Sequence, residues 1–248
     1  MRLLGIDTAT PNASVALVED DKIIAEEFHG PAKNVGQGLL VQAKGNHAEI
    51  IVPLIQAILE RTRSSLKELS GLAVSIGPGS FTGLRIALAT VKGLAYESGL
   101  PVIGVSTLHA NAARVTDSDG VICSMLDARK HEVYAACFRR SGASLMRLSE
   151  DRCCSLDCAI QMLRDLGSAG AMAIGDGATA YAKVLTDALG TELRLSAGTE
   201  YSTIGAQVAI LAATKFDNSS TVDLATLSPV YLRSSEAEKK RMFSALTY

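Results

Sequence analysis

Two aspartates, each at the end of a strand-like segment, stand where a nucleotide-binding protein would place carboxylates. Asp7 begins the run Asp7-Thr8-Ala9-Thr10, and Asp127 begins the run Asp127-Ala128-Arg129-Lys130-His131. Binding a triphosphate requires a carboxylate for Mg²⁺ and nearby hydroxyl and N–H donors. The second run lacks the Gly and Thr that would let phosphate approach the backbone. Asp7, Thr8 and Asp127 are therefore candidates for nucleotide binding, and the alternative is that they satisfy hydrogen bonds of local turns.

A glycine-rich loop with the sequence Gly77-Pro78-Gly79-Ser80-Phe81-Thr82-Gly83-Leu84-Arg85 precedes a helical pattern. Such a loop can present free N–H groups to an anion, but it lacks the Gly-Lys-Ser/Thr ending of a Walker A sequence. Small residues continue along the helix to Gly93, beyond the reach of a bound anion. This spacing favours close packing of another backbone over phosphate binding.

The helical pattern before this loop is apolar around much of its circumference. From Ile50 to Leu59 the apolar positions cover roughly 220°, more than one core face needs. Either the rest of the chain covers the surplus, or a partner does. The second hypothesis joins this helix to the small-residue helix as one docking surface. Its candidate partner-binding residues are His47, Ile50, Ile51, Leu54, Ile55, Ile58, Phe81, Thr82, Arg85, Leu88 and Ala89.

Neither a metal site nor a catalytic nucleophile is indicated by residue spacing. The four histidines include no pair spaced to bind one metal ion, and Ser80 is outside a Gly-x-Ser-x-Gly elbow. Cys153, Cys154 and Cys158 are clustered, but no second Cys or His group completes a ligand set. They are interpreted as small apolar side chains near a helix start. We therefore predict no catalytic residue and no metal.

Charge balance argues against general nucleic-acid binding. The 248 residues include 24 Lys plus Arg and 26 Asp plus Glu, for a formal net charge of −2. Such a chain lacks the diffuse positive field on which non-specific binding depends. Arg129, Lys130, Arg139 and Arg140 form a modest basic group, and a solvated strand edge is the favoured interpretation over direct RNA contact.

The expected location is the cytoplasm. The N-terminus lacks the apolar region and cleavage site of a signal peptide, and no stretch approaches the roughly eighteen apolar residues of a membrane helix. The five cysteines are accordingly expected to be reduced thiols.

The first half of the chain has the element order βββαβαβ of a ribonuclease-H-like unit. Three aliphatic segments separated by turn residues predict an antiparallel meander. A helix follows from Asn46, which with Glu49 resembles a capping box, to about Arg63. The predicted ranges are strands at 3–7, 14–19, 22–28, 71–76 and 101–105, and helices at 46–63 and 82–98.

The second half repeats this opening in a reduced form. Strand, Asp, turn and strand recur at 122–139, with a strand at 171–175 and helices at 156–166, 178–189 and 203–215. We predict an α/β fold of two ribonuclease-H-like lobes, each a mixed sheet flanked by helices, with the second lobe reduced. The predicted division is 1–105 for the first lobe, which a helix near 203–215 could complete, 106–200 for the second, and 216–248 for a C-terminal tail.

Five strings, in order along nearly the whole chain, resemble the TsaB (YeaZ) family. They are Ile6-Asp7-Thr8-Ala9, Asn46-His47-Ala48-Glu49, the loop from Gly77 to Arg85, Asp127-Ala128-Arg129, and Ile174-Gly175-Asp176-Gly177-Ala178. This family looks like a shortened relative of TsaD in the actin-like ATPase (ASKHA) superfamily. The resemblance implies that Thr107 and Asn111 occupy the positions of the two metal-binding histidines of TsaD. Neither side chain is a normal replacement for imidazole on a transition metal.

The resemblance therefore implies a non-catalytic subunit. Such a protein would bind TsaD, with TsaE as a third component, in threonylcarbamoylation of adenosine 37 of tRNAs that read codons starting with A. It would form a homodimer when alone and meet tRNA only through the complex. No cofactor is expected in the chain itself, and ATP or ADP could bind at a partner interface. The alternative is an autonomous ATPase or small-molecule kinase that uses Asp7 and Asp127 across a cleft between the lobes.

Overall fold

The computed structural model describes residues 1–30, 39–40, 47–216 and 223–233. Its first sheet begins as an antiparallel meander, because aliphatic segments alternate with turns at Asp20 and Asp21, both with positive φ. The strands are β1 (Arg2–Asp7), β2 (Ala13–Glu19) and β3 (Lys22–His29), with the two-residue β4 (Leu39–Leu40) at the edge beside β3.

The first sheet is completed by two parallel strands, each reached through a helix. Helix α1 (His47–Arg61) leads to β5 (Gly71–Gly77), which pairs with β1, and α2 (Phe81–Ser98) leads to β6 (Val102–Ser106), which pairs with β5. The spatial order is β4-β3-β2-β1-β5-β6. The predicted capping residue Asn46 lies outside the described residues.

The second sheet repeats this arrangement with shorter elements. Its strands are β7 (Gly120–Asp127), β8 (Glu132–Ser141), β9 (Ser144–Arg147), β10 (Arg152–Ser155), β11 (Met172–Ile174) and β12 (Arg194–Ser196). The central pair, β7 and β8, is antiparallel, as β1 and β2 are; β9 and β10 pair antiparallel with β8, whereas β11 and β12 add in parallel on the side of β7. The strand order is β10-β8-β7-β11-β12, with β9 also paired to β8.

Short helices flank the second sheet. They are α3 (Thr107–Ala113), which joins the lobes, then α4 (Leu156–Leu166), α5 (Asp176–Ala180) and α6 (Ala182–Leu189). The single helix predicted at 178–189 is two helices that meet at Tyr181, whose backbone leaves the helical region. Its hydroxyl donates to Asp127 Oδ1 over 3.3 Å, so the break places a side chain at the end of β7.

Each sheet is buried on both faces. In the first lobe, Leu4 and Ile6 of β1 pack in the cluster that contains α1 and α2. Leu3 faces the other way, toward α7 (Ile204–Phe216). Alternate side chains of a strand point to opposite faces, so this is a three-layer arrangement. The predicted α/β class with two mixed sheets flanked by helices is confirmed.

The lobes meet around α3. Leu108 and Ala112 pack with the second sheet, whereas Ala110 packs in the cluster of α7 and the first sheet. Helix α7 comes late in the chain but packs on the first sheet, so the chain returns to the first lobe. Within the described residues, no helix combines the length and the apolar character that a bilayer crossing demands.

Candidate functional site

The turn after β1, residues 7–12, encloses its own carboxylate. Asp7 is fully buried. Its Oδ1 accepts from the backbone N–H of Ala9 and its Oδ2 from Thr10 Oγ1, both over 3.2 Å. Burial raises the pKa of Asp7, and these hydrogen bonds oppose the rise. The geometry is that of a turn-capping aspartate, and we call these residues the first-lobe turn.

The glycine-rich loop packs against this turn. Thr8 Oγ1 donates to the carbonyl of Gly83 over 2.6 Å, and the N–H of Ser80 donates to the carbonyl of Ala9 over 2.7 Å. A Cβ on Gly83 would lie 1.8 Å from the Thr8 carbonyl oxygen, and one on Gly79 would lie 2.4 Å from that of Ala9. These glycines therefore permit close backbone packing, which is the role that their spacing predicts. The backbone that approaches them belongs to the first-lobe turn of the same chain.

The turn after β7, residues 127–131, is built differently, and we call it the second-lobe turn. Asp127 is partly exposed, and its Oδ1 accepts from the N–H of Arg129 over 2.8 Å. Arg129, Lys130 and His131 have φ values of 65°, 56° and 61°, three successive left-handed residues without a glycine. Their side chains are exposed. The left-handed backbone of these three residues is less favourable than a right-handed one. The turn nevertheless keeps charged side chains at the surface.

The carboxylates do not form a magnesium and triphosphate clamp. A cavity of about 530 Å³ lies between the two turns, and Asp127 lines it, but Asp7 and Thr8 do not. Both oxygens of Asp7 already accept hydrogen bonds, and Thr8 is committed to Gly83. The residues present thus do not fit the first half of the clamp. We call this space the interlobe cavity.

The positions matched to the metal ligands of TsaD do not fit a metal either. Asn111 Nδ2 donates to Ser124 Oγ and to the carbonyl of Ile174, while Asn111 Oδ1 accepts from Arg114 Nη1 over 3.2 Å. A guanidinium on the only oxygen of the side chain excludes a cation there. Thr107 is buried at the start of α3. Among the described residues no group of three His, Cys, Asp or Glu could hold a metal ion.

His109 lies between these positions and faces another part of the second lobe. Its ring stacks on Phe138 with 5.2 Å between ring centroids. Burial, with Arg147 nearby, lowers the pKa of His109 to about 4. A neutral imidazole packed on an aromatic ring is a structural residue.

A segment that the sequence pattern assigns to the tail crosses the interlobe cavity. Residues 227–233, which we call the strap, contact both lobes. On the first lobe, the N–H of Val230 donates to the carbonyl of Ile76 over 2.7 Å, and Tyr231 stacks on Phe81 with centroids 4.6 Å apart. Arg85 Nε donates to Tyr231 Oη over 3.0 Å. Two of the predicted partner-binding residues, Phe81 and Arg85, therefore bind the strap.

On the second lobe, the strap ends in an ion pair. Arg233 Nη1 donates to the carbonyl of Ala128 over 2.5 Å and lies 3.2 Å from Glu132 Oε2. Val230, Tyr231 and Arg233 all line the interlobe cavity. The apolar residues from Leu227 to Leu232 were the only signal in the sequence that this segment is packed.

Six of the residues predicted to bind a partner belong to the protein's own core. These are Ile50, Ile51, Leu54, Ile55, Ile58 and Leu88, each at most 4% exposed. They pack against the first sheet in one cluster that also contains Leu227 of the strap. Their assignment to a docking surface is corrected, because the surplus apolar arc is covered by α2 and the strap.

The remaining predicted residues lie at the surface or the cavity. Thr82 and Ala89 are exposed on α2. His47 is partly exposed, lines the interlobe cavity, and its Nε2 lies 3.2 Å from the carbonyl oxygen of Pro11.

Helices α1 and α2 contact each other, and both have positions that the described residues leave exposed. Eight of these exposed positions, which we call the outer face, are Glu49, Val52, Pro53 and Gln56 on α1 and Thr82, Ala89, Gly93 and Tyr96 on α2; Ala48, Glu60, Arg85 and Glu97 are exposed as well. Val52 is 48% exposed and Tyr96 is 88% exposed. A Cβ added to Gly93 would meet no atom within 4 Å. Apolar and small side chains thus share this surface.

The basic group predicted on the second lobe is divided. Arg129, Lys130 and Arg139 are exposed, but Arg140 is buried and its Nη2 donates to the carbonyl of Ala113 over 3.1 Å. Arg140 is therefore a structural residue that cannot contact RNA.

The cysteines are free thiols. Cys123 and Cys137 are buried cross-strand neighbours on β7 and β8. Cys153 and Cys154 lie on β10, directly before α4, and Cys158 is in the first turn of α4, so all three are near a helix start, as predicted. Strand β10 is stabilised by pairing with β8, a long-range contact that the local sequence does not reveal.

Comparisons with known proteins agree on one family over nearly the whole chain. The family model described as "TsaD: tRNA N6-adenosine threonylcarbamoyltransferase" matches residues 41–242. A protein of Escherichia coli (strain K12) named "tRNA threonylcarbamoyladenosine biosynthesis protein TsaB" is 32% identical, with 97% of this chain and 98% of the relative covered. Its namesake in Bacillus subtilis (strain 168) is 28% identical, with 97% of each chain covered.

A solved structure has the same fold. YeaZ from Pseudomonas aeruginosa superposes with a TM-score of 0.71 at 23% identity, covering 93% of this chain and 99% of that one. The matches extend over both lobes, and the E. coli relative matches over nearly its whole length. The chain therefore belongs to the TsaB (YeaZ) family of tRNA threonylcarbamoyladenosine biosynthesis proteins.

Proposed function

We propose that this protein is a non-catalytic subunit that binds TsaD, with TsaE as a third component, for threonylcarbamoylation of adenosine 37 in tRNAs that read codons starting with A. The observation that carries the proposal is the outer face, where apolar and small residues of two adjacent helices remain exposed. Names of relatives and the match to the TsaD family model support the same pathway.

The chemistry of the outer face suits a helix-packing partner. Val52 and Tyr96 offer apolar area, and aromatic residues are enriched where interfaces derive their affinity. Ala89 and Gly93 lie one helical turn apart, so the backbone of another helix can approach α2 closely. Because this protein matches the TsaD family model, a related helix pair on TsaD would be a complementary partner, and the same surface on a second copy would give an isologous homodimer in its absence.

The test is a binding measurement between purified TsaD and variants with one charge on the outer face. Val52→Asp and Tyr96→Asp should each weaken the affinity at least about tenfold, because a carboxylate would be buried without a partner. Met146→Asp is the matched control, since Met146 is 55% exposed on β9 of the second lobe.

Charges at Ile51 or Leu88 would not test the proposal, because both side chains are buried and the variants would unfold. Circular dichroism should show that the two outer-face variants keep the fold. Unchanged affinity of both folded variants would refute this surface assignment. Loss of affinity in the Met146 control as well would show that the effect is not specific.

A role in the reaction other than docking is tested by reconstitution. Modification of tRNA by TsaD and TsaE should require this chain, and Asp127→Ala should leave the rate unchanged if the contribution is structural. A strong loss of rate with Asp127→Ala, in a variant that still binds TsaD, would favour a chemical role for the second-lobe turn.

The autonomous ATPase or kinase is the second candidate, and the interlobe cavity with exposed Arg129 and Lys130 at its wall is the observation in its favour. Calorimetry with Mg-ATP and Mg-ADP separates the two. Stoichiometric binding to the isolated chain, with turnover that Asp127→Ala abolishes, would establish this alternative. Binding only when TsaD is present would assign the nucleotide to the partner interface. Separately, we propose that this chain contacts tRNA only through the complex.

A further inference from the structure

A second cavity, of about 450 Å³, lies beside the interlobe cavity and is separate from the outer face. The two cavities share Thr10, Pro11, Leu126 and Asp176 as a common wall. The volume is within the range of small-molecule sites. Most of the wall is apolar, and we call this space the second cavity.

A buried cation lies at the wall of the second cavity. Arg114, the residue that ends α3, is 7% exposed and lines the space. Its Nε donates to the carbonyl of Ser202 over 2.6 Å, Nη1 donates to Asn111 Oδ1 over 3.2 Å, and Nη2 donates to the carbonyl of Gly198. A guanidinium has five N–H donors, so these three bonds leave donors for a further acceptor.

The hydrogen-bond partners of Arg114 are neutral, and none of them is a carboxylate. Arg114 takes part in none of the ion pairs between described residues. Burial lowers the pKa of Arg114 to about 10, although the charges of Glu200, Asp7 and Glu26 act in the opposite direction without forming an ion pair with it. An unpaired buried charge is costly, and an anion bound next to it would offset that cost.

The rest of the wall limits what the anion can be. Leu126, Ile204 and Ala197 present apolar surface, which favours a ligand with an apolar body. Asp176 is the other ionisable group on the wall, and its carboxylate accepts from the N–H of Asp127. A second negative charge on the ligand would meet this carboxylate.

We propose that the second cavity binds a small monocarboxylate with an apolar body, whose carboxylate accepts hydrogen bonds from Arg114. The site is independent of the docking of TsaD. It uses no residue of the outer face and no residue of the strap.

The probes that test the proposal are hexanoate, 1-hexanol and adipate, titrated into the isolated full chain and followed by saturation-transfer NMR. Hexanoate should bind. Hexanol, which lacks the charge, and adipate, which has a second one, should each bind at least about tenfold more weakly, since charge-assisted hydrogen bonds and like-charge contacts have effects of this size. Equal binding of hexanoate and hexanol would refute the role of Arg114.

Variants identify the place of binding. Ala180 and Ala197 are exposed at the cavity wall, so Ala180→Phe and Ala197→Phe should fill the space without disturbing the core and weaken hexanoate at least about tenfold. Ala143→Phe, an exposed site outside the cavity, is the matched control and should leave binding unchanged. Arg114→Gln should weaken hexanoate but not hexanol.

Because Arg114→Gln also loses bonds to residues 198–202, the two phenylalanine variants keep the test valid if that variant does not fold. Absence of hexanoate binding at 10 mM would show that Arg114 only ties residues 198–202 to α3. That result would leave the docking of TsaD untouched, because TsaD binding is measured with other variants.

Discussion

The two turns that face each other across the interlobe cavity begin with the same residue and have opposite designs. In the first-lobe turn, Asp7 is enclosed and the loop backbone is in contact through Gly79 and Gly83. In the second-lobe turn, Asp127 is partly exposed, and three successive left-handed residues display charged or polar side chains.

The difference shows that burial, not residue type, decides what a strand-end aspartate can do. Asp7 is consumed by the hydrogen bonds of its own turn, so it contributes to the fold. Asp127 and its neighbours remain at the cavity wall, where a ligand or partner can reach them. Any chemistry retained at this cleft should therefore depend on the second-lobe turn.

The largest loss of stability is expected from a substitution at Gly83, where the glycine-rich loop packs most closely against the first-lobe turn. Gly83→Ala places a Cβ 1.8 Å from the Thr8 carbonyl oxygen. Since neither backbone can move without shifting α2 or the turn, we expect a loss of about 3 kcal/mol in the free energy of unfolding. Denaturant titration provides the measurement.

Gly93→Ala is the matched control on the same helix, because its Cβ would meet open space. Replacing an exposed helical glycine should stabilise the protein by up to about 1 kcal/mol. Equal effects of the two substitutions would contradict the close packing assigned to Gly83.

Replacing the buried carboxylate of Asp7 should change the free energy of unfolding by less than Gly83→Ala does, and the change should depend on pH. Burial raises the pKa of Asp7 in the folded protein. The contribution of Asp7 to the free energy of unfolding is therefore most favourable below the ordinary aspartate pKa of about 3.9, and it declines as the pH rises through the folded pKa. Asp7→Asn keeps an acceptor for the Ala9 N–H and removes this ionisation. The variant should therefore be more stable than the wild type at pH 8.

The stability difference between Asp7→Asn and the wild type should shrink as the pH falls toward 3. Urea titrations at several pH values measure it. A difference that is constant with pH would show that Asp7 is not held in a desolvated environment.

The strap joins the glycine-rich loop region of the first lobe to the second-lobe turn. Releasing it from the second-lobe turn should have a weaker effect on stability still. Arg233→Ala deletes the bond to the Ala128 carbonyl and the ion pair with Glu132. We expect about 1 kcal/mol of destabilisation and faster amide hydrogen exchange in residues 128–132. Lys183→Ala, which breaks the exposed pair with Asp187, should change stability by less than about 0.5 kcal/mol, and exchange at 128–132 should not respond to it.

The smallest change in stability is expected from a substitution at Lys130 in the second-lobe turn. Lys130 has a φ of 56°, so Lys130→Gly should relieve left-handed strain and stabilise the protein by about 0.5 kcal/mol, after the entropy of the added glycine is deducted. Arg139→Gly, in β8, should destabilise by about 1 kcal/mol. Destabilisation by both variants would contradict strain at Lys130.

The sequence pattern predicted the elements well where their stability is local. Alternating aliphatic residues and turn residues located β1 to β3, and the helix predicted at 82–98 agrees with α2. Strands β9, β10 and β12 were not predicted, because each has only three or four residues. Strands β10 and β12 also depend on pairing with a distant segment, whereas β9 forms a hairpin with β8.

The site was predicted less well for the same reason. Periodicity showed that α1 is apolar around much of its surface, but not what covers it. Ile51 and Leu54 pack in a cluster that contains Leu227, about 170 positions later in the chain. The orientation of Asp7, toward its own turn, likewise depends on contacts between residue 8 and residue 83.

The return of α7 to the first sheet has a consequence for synthesis on the ribosome. Val208 and Ala209 supply part of the core around Leu3, so the first lobe lacks one of its layers until α7 has been translated. The second lobe, encoded between α3 and α7, is complete sooner. Although it comes later in the message, it can reach its final shape first, while the opening strands wait for the helix that closes them.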